Sequence, residues 1–293
     1  MHKKETTLLH SKIANEMMNY INTYIDSPIN IDEMALEFKI SKFHFQRIFK
    51  EQMGENIYES IKSIRLQKAS NLLLTNQAST ISKIASQCGY SSSTSFLRAF
   101  KQRFEQTPKE WRKGGYKDYS NKILNVCSSI SLIGKNDICK EPNIVKIEKK
   151  VAYYIREKGH GNNSNKSWQK LKAWVYSNNI KNYFQIGIYH DNPIITKPQD
   201  CHYVAAIVID EKDILKESNL PYFSLYSGLC AEFSFEGKYE DILTLIQWVY
   251  HYWLPSSGYE ATTIPSYIRF FKNDYFDNSG TFVAKYYVPI IFT

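Results

Sequence analysis

The chain has little of what would place it in a membrane or among metal enzymes. No stretch of its 293 residues approaches the roughly 18 uninterrupted apolar residues of a membrane helix. The opening Met-His-Lys-Lys-Glu-Thr-Thr lacks the apolar run of a secretory signal, so a cytoplasmic location is expected. Cysteine is scarce: Cys88, Cys127, Cys139, Cys201 and Cys230 are scattered, with no C-x-x-C pair, and buried free thiols are expected. The seven histidines form no H-E-x-x-H. Cys201 and His202 are adjacent, and neighbours on a strand face opposite ways. Gly159-His160-Gly161 is a lone glycine-rich turn, not a phosphate loop, and no G-x-S-x-G elbow occurs. No metal, cofactor or catalytic set is therefore expected.

What is present is unevenly shared. Residues 1–115 carry 17 Lys+Arg against 11 Asp+Glu, so most of the net charge of +8 sits in the first two fifths of the chain. Of the 43 aromatic residues, 31 lie after residue 115. One part suits a polyanion and the other something aromatic or apolar.

The string S-x-x-x-F-x-R-x-F-K occurs twice, as Ser41 to Lys50 and, 51 residues on, as Ser92 to Lys101. Each copy follows a short amphipathic stretch containing an alanine, Ile31–Leu36 and then Ile81–Ala85. Helix, tight turn and second helix with a basic outer face is the pattern of a helix-turn-helix. Apolar spacing predicts an opening helix over 10–26, a support helix over 29–38, and a reading helix capped by Ser41 and stopped by Gly54. Phe45, Ile48, Phe49 and Met53 form its buried face, leaving Lys42, Phe43, Gln46, Arg47 and Lys50 outward. Residues 56–74 read as one helix of about 28 Å, which would hold two reading helices near the ~34 Å repeat of successive major grooves. The second copy repeats the plan. Residues 80–87 support, Gly89 turns, and 92–104 read, with Phe96, Ala99, Phe100 and Phe104 inside. Ser93, Thr94, Leu97, Arg98 and Lys101 lie outside. Thr107-Pro108 opens a last short helix through Trp111 and Arg112.

On these residues, residues 10–113 resemble the DNA-binding domain of the AraC/XylS family of transcription regulators. Ser41–Lys50, Phe96–Lys101 and Gln106-Thr107-Pro108 stand where that family carries its two recognition helices and its closing turn. The resemblance implies Phe43, Gln46 and Arg47 as base readers in the first helix, and Ser93, Thr94, Leu97 and Arg98 in the second. Arg pairs with guanine and Gln with adenine, each worth about 1–3 kcal/mol of discrimination. The second helix is poor in long polar readers, so Arg98 is expected to carry most of its readout or to contact phosphate. Lys50, Lys101 and His44 are expected at phosphate or in solvent.

Residues 114–142 are polar and glycine-containing, with a brief apolar run at Ile130–Ile133, and read as a linker with one short strand at most. From Val145 the pattern turns to alternation. Strands are expected over 147–157, 183–190 and 203–210 with a helix over 167–177. The order then repeats as strand 222–236, helix 239–253 and strands 266–273 and 282–290. Two β-α-β-β units in tandem imply two small sheets meeting along a pseudo-twofold, with helices on one side and a ligand cleft between the halves. The expected fold is thus multidomain, an all-α pair of helix-turn-helix motifs (8–113) followed by an α+β domain (143–293).

The second half resembles GyrI-like effector-binding domains. The residues that carry this are Tyr189–Pro193, Gly228–Phe233, Trp253–Glu260 and Tyr286–Ile290. Such domains place a glutamate within P-x-[FY]-E-x-[YF]; here Pro265–Phe270 puts Ile268 there. A buried cation would then lack its partner, so a neutral or weakly polar, aromatic-rich pocket for a small neutral or aromatic effector is expected, with Trp168, Tyr189, Tyr226, Tyr267, Ile268 and Phe270 as its candidate residues. Core packing between helix and sheet is the plainer role for each of these aromatics. Together the resemblances imply a DNA-binding regulator, expected to activate, with double-stranded DNA and a small molecule as partners and RNA polymerase as a further candidate. The alternatives are a C-terminal half that binds a protein, or a hydrolase, which the absence of the family glutamate counts against.

Overall fold

The computed structural model describes residues 2–125, 140–159, 164–215, 217–278 and 280–292. The chain divides into two compact units, residues 1–113 with 217–223, and residues 114–216 with 224–293. Among the described residues no helix is long and apolar enough to cross a membrane.

The first unit is helical. α1 (His2–Thr23), α2 (Ile31–Glu37) and α3 (Lys42–Met53) bury one cluster that includes Met17, Ile21, Met34, Phe45, Ile48, Phe49 and Met53. α4 (Ile57–Thr75) lends Ile57 and Ile61 to that cluster, while its far end carries the buried Leu66, Leu72, Leu73 and Leu74. α5 (Ile81–Gln87) and α6 (Ser93–Phe104) pack on α4. Each start is capped as its sequence requires: the side chains of Asn30, Ser41, Asn56, Thr80 and Ser92 accept from backbone N–H groups of the first turn. α3 stops where Gly54 adopts φ +83. α7 (Pro108–Glu110) opens on a reciprocal Thr107–Glu110 capping box. Trp111 follows, buried in contact with Phe100 and Phe104, and its Nε1 donates to the Ser70 carbonyl at 3.2 Å. Ala99, expected on the buried face of α6, is only half-buried.

In the second unit, the expectation of a linker with at most one short strand over 114–142 is corrected at its start. α8 (Tyr116–Asn125) is a helix with Ser120, Ile123 and Leu124 buried. The apolar run 130–133 lies outside the described residues. The strand expected over 147–157 is two strands, β1 (Asn143–Ile147) and β2 (Val151–Lys158), broken by Glu148-Lys149-Lys150. α9 (Ser164–Ser177), β3 (Phe184–Tyr189) and β4 (His202–Ile209) follow. The strand expected over 222–236 is likewise two, β5 (Tyr222–Ser224), whose first two residues are assigned to the first unit, and β6 (Gly228–Gly237). α10 (Tyr239–Trp248) runs into a π-helical turn (Val249–Trp253) and α11 (Leu254–Ser256). β7 (Tyr259–Ala261), β8 (Ser266–Lys272), α12 (Asp274–Asp277) and β9 (Phe282–Phe292) complete the unit.

The two β-α-β-β repeats do not make two sheets. Their strands lie in one, in the order β1-β6-β9-β8-β3-β4-β2. All described pairings are antiparallel, and β3 meets β8 in register Gly187↔Ile268 and Tyr189↔Ser266. The pseudo-twofold therefore passes between β3 and β8, with the repeats' outer strands β2 and β6 placed symmetrically. α9 packs on β2 and β4, and α10 on β6.

Candidate nucleic-acid interface and effector site

In α3 and α6, phenylalanines at four-residue spacing turn one side of each helix inward. That leaves the predicted readers on the other side. Phe43 is 83 % exposed. Arg47 and Lys50 are exposed and Gln46 is half-buried. Arg47 Nε lies 3.8 Å from Glu51 Oε1, an exposed pair one turn apart that solvent weakens. Ser93, Thr94, Leu97, Arg98 and Lys101 are all exposed on α6. Lys42 is otherwise engaged: its Nζ is 2.8 Å from Asp32 Oδ2, joining α3 to the support helix, and this bond raises its pKa. His44, expected at phosphate or in solvent, turns toward α1 and meets the His10 ring edge-on at 5.7 Å.

The predicted effector residues divide. Register places Tyr189, Ile268 and Phe270 on one face of the sheet, and Trp168 of α9 meets Phe270 edge-on at 5.7 Å on that face. Tyr267 points to the other face, where it stacks on Tyr287 at 4.8 Å. Tyr226 stands apart in the turn before β6, its hydroxyl lying against Gly228. Trp168, Tyr189, Ile268 and Phe270 are thus brought together, and Tyr226 and Tyr267 are not.

The face with Trp168 carries further residues that sequence reasoning passed over. Tyr203 lies 5.4 Å from Tyr189, and its hydroxyl covers Gly187 so closely that a Cβ there would be 2.3 Å away. Tyr286 donates to Ser266 Oγ at 2.8 Å. Burial raises the pKa of Tyr189, Tyr203 and Tyr286, so all three are neutral phenols able to donate or accept. One carboxylate joins them. Glu157 stands directly opposite Tyr203 in the sheet. Its Oε2 accepts from Ser167 Oγ at 2.6 Å, and burial raises its pKa against the lowering effect of that bond. The alternation of β2 was the available signal, since Glu157 follows Tyr153 at an even spacing and Tyr153 packs on Trp174 of α9.

The other face has its own polar set. Glu232 accepts from Lys285 Nζ and from the Tyr287 hydroxyl, both at 2.7 Å. Arg269 lies over the Phe184 ring at 4.3 Å. Asp191 Oδ2 is 2.7 Å from His202 Nδ1 and also accepts from the His202 backbone N–H. Among the described residues no cluster of three or more His, Cys, Asp or Glu could hold a metal ion. Cys88, Cys201 and Cys230 are buried thiols, and burial pushes that of Cys230 up to about 12. Cys127 and Cys139 lie outside the described residues.

Residues 34–114 match a helix-turn-helix domain family, and residues 140–291 match the family of the GyrI-like small molecule binding domain. Over 103 residues the chain is 34% identical to the regulatory protein SoxS of Escherichia coli K12, covering 35% of this chain and 95% of that protein. The chain belongs to the AraC/XylS family. Its second half belongs to the GyrI-like family, whose match spans just over half the sequence. Over 97 residues it is also 35% identical to the xylose operon regulatory protein of E. coli K12, covering 33% of this chain but only 24% of that longer protein. The solved C-terminal domain of EcmrR aligns with 52% of this chain and 98% of its own at 14% identity and a TM-score of 0.39, too low to carry an argument. The AraC/XylS assignment thus rests on the helical half, and the GyrI-like one on the family match.

Proposed function

We propose that this AraC/XylS-family chain is a sequence-specific DNA-binding transcription regulator whose GyrI-like half senses a small aromatic molecule. The observation that carries the first part is the repeat of outward faces in register, Phe43, Arg47 and Lys50 exposed with Gln46 half-buried on α3, and Ser93, Thr94, Leu97, Arg98 and Lys101 exposed on α6. Their opposite sides are fully committed to the core, so these faces are what the helices have to offer a major groove. Arg47 and Gln46 read bases in the first groove; Arg98 does most of the reading in the second, because Ser93 and Thr94 are short. Lys50 and Lys101 meet phosphates. As an activator the protein also meets RNA polymerase.

For sensing, the supporting feature is the face of Trp168, Tyr189, Tyr203, Ile268, Phe270 and Tyr286. Aromatic walls with neutral hydroxyls suit a planar ligand with one or two hydrogen-bonding groups. Glu157 modifies the expectation of a wholly neutral site: the family's carboxylate is missing at Ile268, but a partly buried one stands on the other repeat. A ligand that donates a hydrogen bond at one end fits this better than a hydrocarbon. Hydrolysis finds no support, because Ile268 offers neither acid nor base.

The test has two arms. Specific sites selected from random duplex should lose their advantage over random DNA with Arg47→Ala; an unchanged ratio removes Arg47 as a reader. A thermal-shift screen of small aromatic donors against the full chain should find compounds that raise the melting temperature in the native protein and less so in Trp168→Ala.

A further inference from the structure

The segment packed on the tyrosine-bearing face of the sheet faces two ways. The chain makes a π-helical turn at Val249–Trp253 between α10 and α11. Such a turn carries an extra residue in the helix and recurs at functional positions. Toward the sheet, the buried Tyr250 reaches the hydroxyls of Tyr286 and Ser266. Trp253 meets Phe233 edge-on at 5.0 Å, and Phe233 packs on Tyr286 at 6.3 Å. Away from the sheet, Gln247 Nε2 donates to Asn121 Oδ1 at 3.0 Å. The His251 ring meets Tyr116 edge-on at 4.8 Å, and Lys117 Nζ lies over the Tyr252 ring at 5.2 Å.

Tyr116, Lys117 and Asn121 all belong to α8. Gln247 and His251 are only 3 % and 5 % exposed. Burying an amide and an imidazole costs desolvation, which these contacts offset only while α8 stays docked. α8 is also the first helix after Trp111, whose ring is fixed among Phe100 and Phe104. Between Trp111 and α8 the backbone passes through Gly114 at φ +113, with nothing within 4 Å of where a Cβ would sit.

We infer that the 247–253 segment passes the state of the effector site to α8, and so to the peptide that leads back into the DNA-reading half. An occupant that rearranges the Tyr250–Tyr286–Ser266 hydroxyls moves the π-turn. The Gln247–Asn121 bond and the His251–Tyr116 contact, set on the reverse side of that turn, then loosen together. This rests on the aromatic face being the effector site and adds how its occupancy is regulated outward.

Amide hydrogen exchange on the full chain, without any ligand, tests it. Ser266→Val removes the hydroxyl to which Tyr286 donates and puts carbon in its place, 20 residues from Tyr286 and far along the chain from α8. Exchange at Lys117–Leu124 should rise about tenfold, the scale of a coupling of 1–2 kcal/mol. Tyr250→Phe should move the same amides in the same direction by less. Val175→Ala, a buried truncation on α9, should leave them unchanged. Adding Asn121→Leu to Ser266→Val should produce no further rise, because the link is already loosened. Unchanged α8 exchange in both Ser266→Val and Tyr250→Phe overturns the inference, as does an equal rise in Val175→Ala. If Ser266→Val does not fold, Tyr250→Phe against Val175→Ala decides. No ligand enters the experiment, so failure here leaves the effector site standing; failure of the compound screen removes that site instead.

Discussion

Lys39 and Gly89 occupy the same left-handed position, one after each support helix. Lys39 has φ +56 and Gly89 φ +75. Each N–H donates to the carbonyl three residues back, Leu36 and Ser86, at 2.9 Å; the next residues, Ile40 and Tyr90, donate to Ala35 and Ala85 at 3.1 and 3.0 Å. These are the paired bonds of a helix C-terminus that favours glycine. The first repeat strains a lysine there. The second cannot: a Cβ at 89 would stand 2.6 Å from the Ile25 carbonyl oxygen.

Lys39→Gly should therefore stabilise the helical half by about 1 kcal/mol, the left-handed penalty of a non-glycine residue. Gly89→Ala should destabilise it by on the order of 2–3 kcal/mol, since strain and overlap act together. Urea melts followed by far-UV circular dichroism would show both. A destabilised Lys39→Gly would mean that the lysine side chain itself contributes to the turn.

Arg47→Ala and Arg98→Ala should each cost about 1–3 kcal/mol on the selected site and much less on random duplex. Lys50→Ala should weaken both alike and lower the salt slope by about one. Fluorescence anisotropy at several salt concentrations separates the two behaviours. A Lys50→Ala variant that changed sequence preference would move that lysine from phosphate to base.

His251 is held neutral. Burial first, and then the charge of Lys117, lowers its pKa to about 4; Tyr116 and Tyr252 are the other groups against it. Unfolded, it binds a proton near pH 6.5. The unfolded chain therefore binds more protons between pH 6.5 and about 4, and stability falls as pH falls through that window. The loss approaches on the order of 3 kcal/mol at pH 4. His251→Phe should flatten its part of the pH profile, read by melts at pH 7 and pH 5; an equally steep profile would assign the acid sensitivity to other groups, such as the half-buried His190, whose pKa desolvation also lowers.

Ile268→Glu would restore the glutamate usual in GyrI-like domains at a position only 1 % exposed. Facing Gly187 and lacking a cationic partner, the carboxylate should destabilise the apo protein by several kcal/mol at pH 7. Its folded pKa would be raised, so the penalty should vanish as pH falls below the ordinary carboxylate value. A variant as stable as the parent at pH 7 would show that the site admits water there.

Much of the helical half was legible because capping side chains and phenylalanine spacing are local signals. Ser41, Asn56, Thr80, Ser92 and Thr107 act where a start was expected, and the readers stand outside because Phe45, Phe49, Phe96 and Phe100 take the inside. α8 was missed because its stripe of Ser120, Ile123 and Leu124 is short and two glycines precede it. The single sheet was missed for a different reason. The pairing of β3 with β8 joins residues about 80 apart, and no local pattern distinguishes an inner edge that pairs from one that packs. The separation of Tyr267 from Ile268 was readable, since adjacent residues on a strand face opposite ways.

The Gly187↔Ile268 seam has a consequence for any attempt to divide the protein. A gene fragment ending after β4 would leave β3 with bare N–H and C=O groups flanked by Ile186 and Ile188, and its complement would leave β8 in the same state. Such edges recruit one another. The repeats, although duplicated in plan, would each present this unpaired edge when expressed singly, and should self-associate along it.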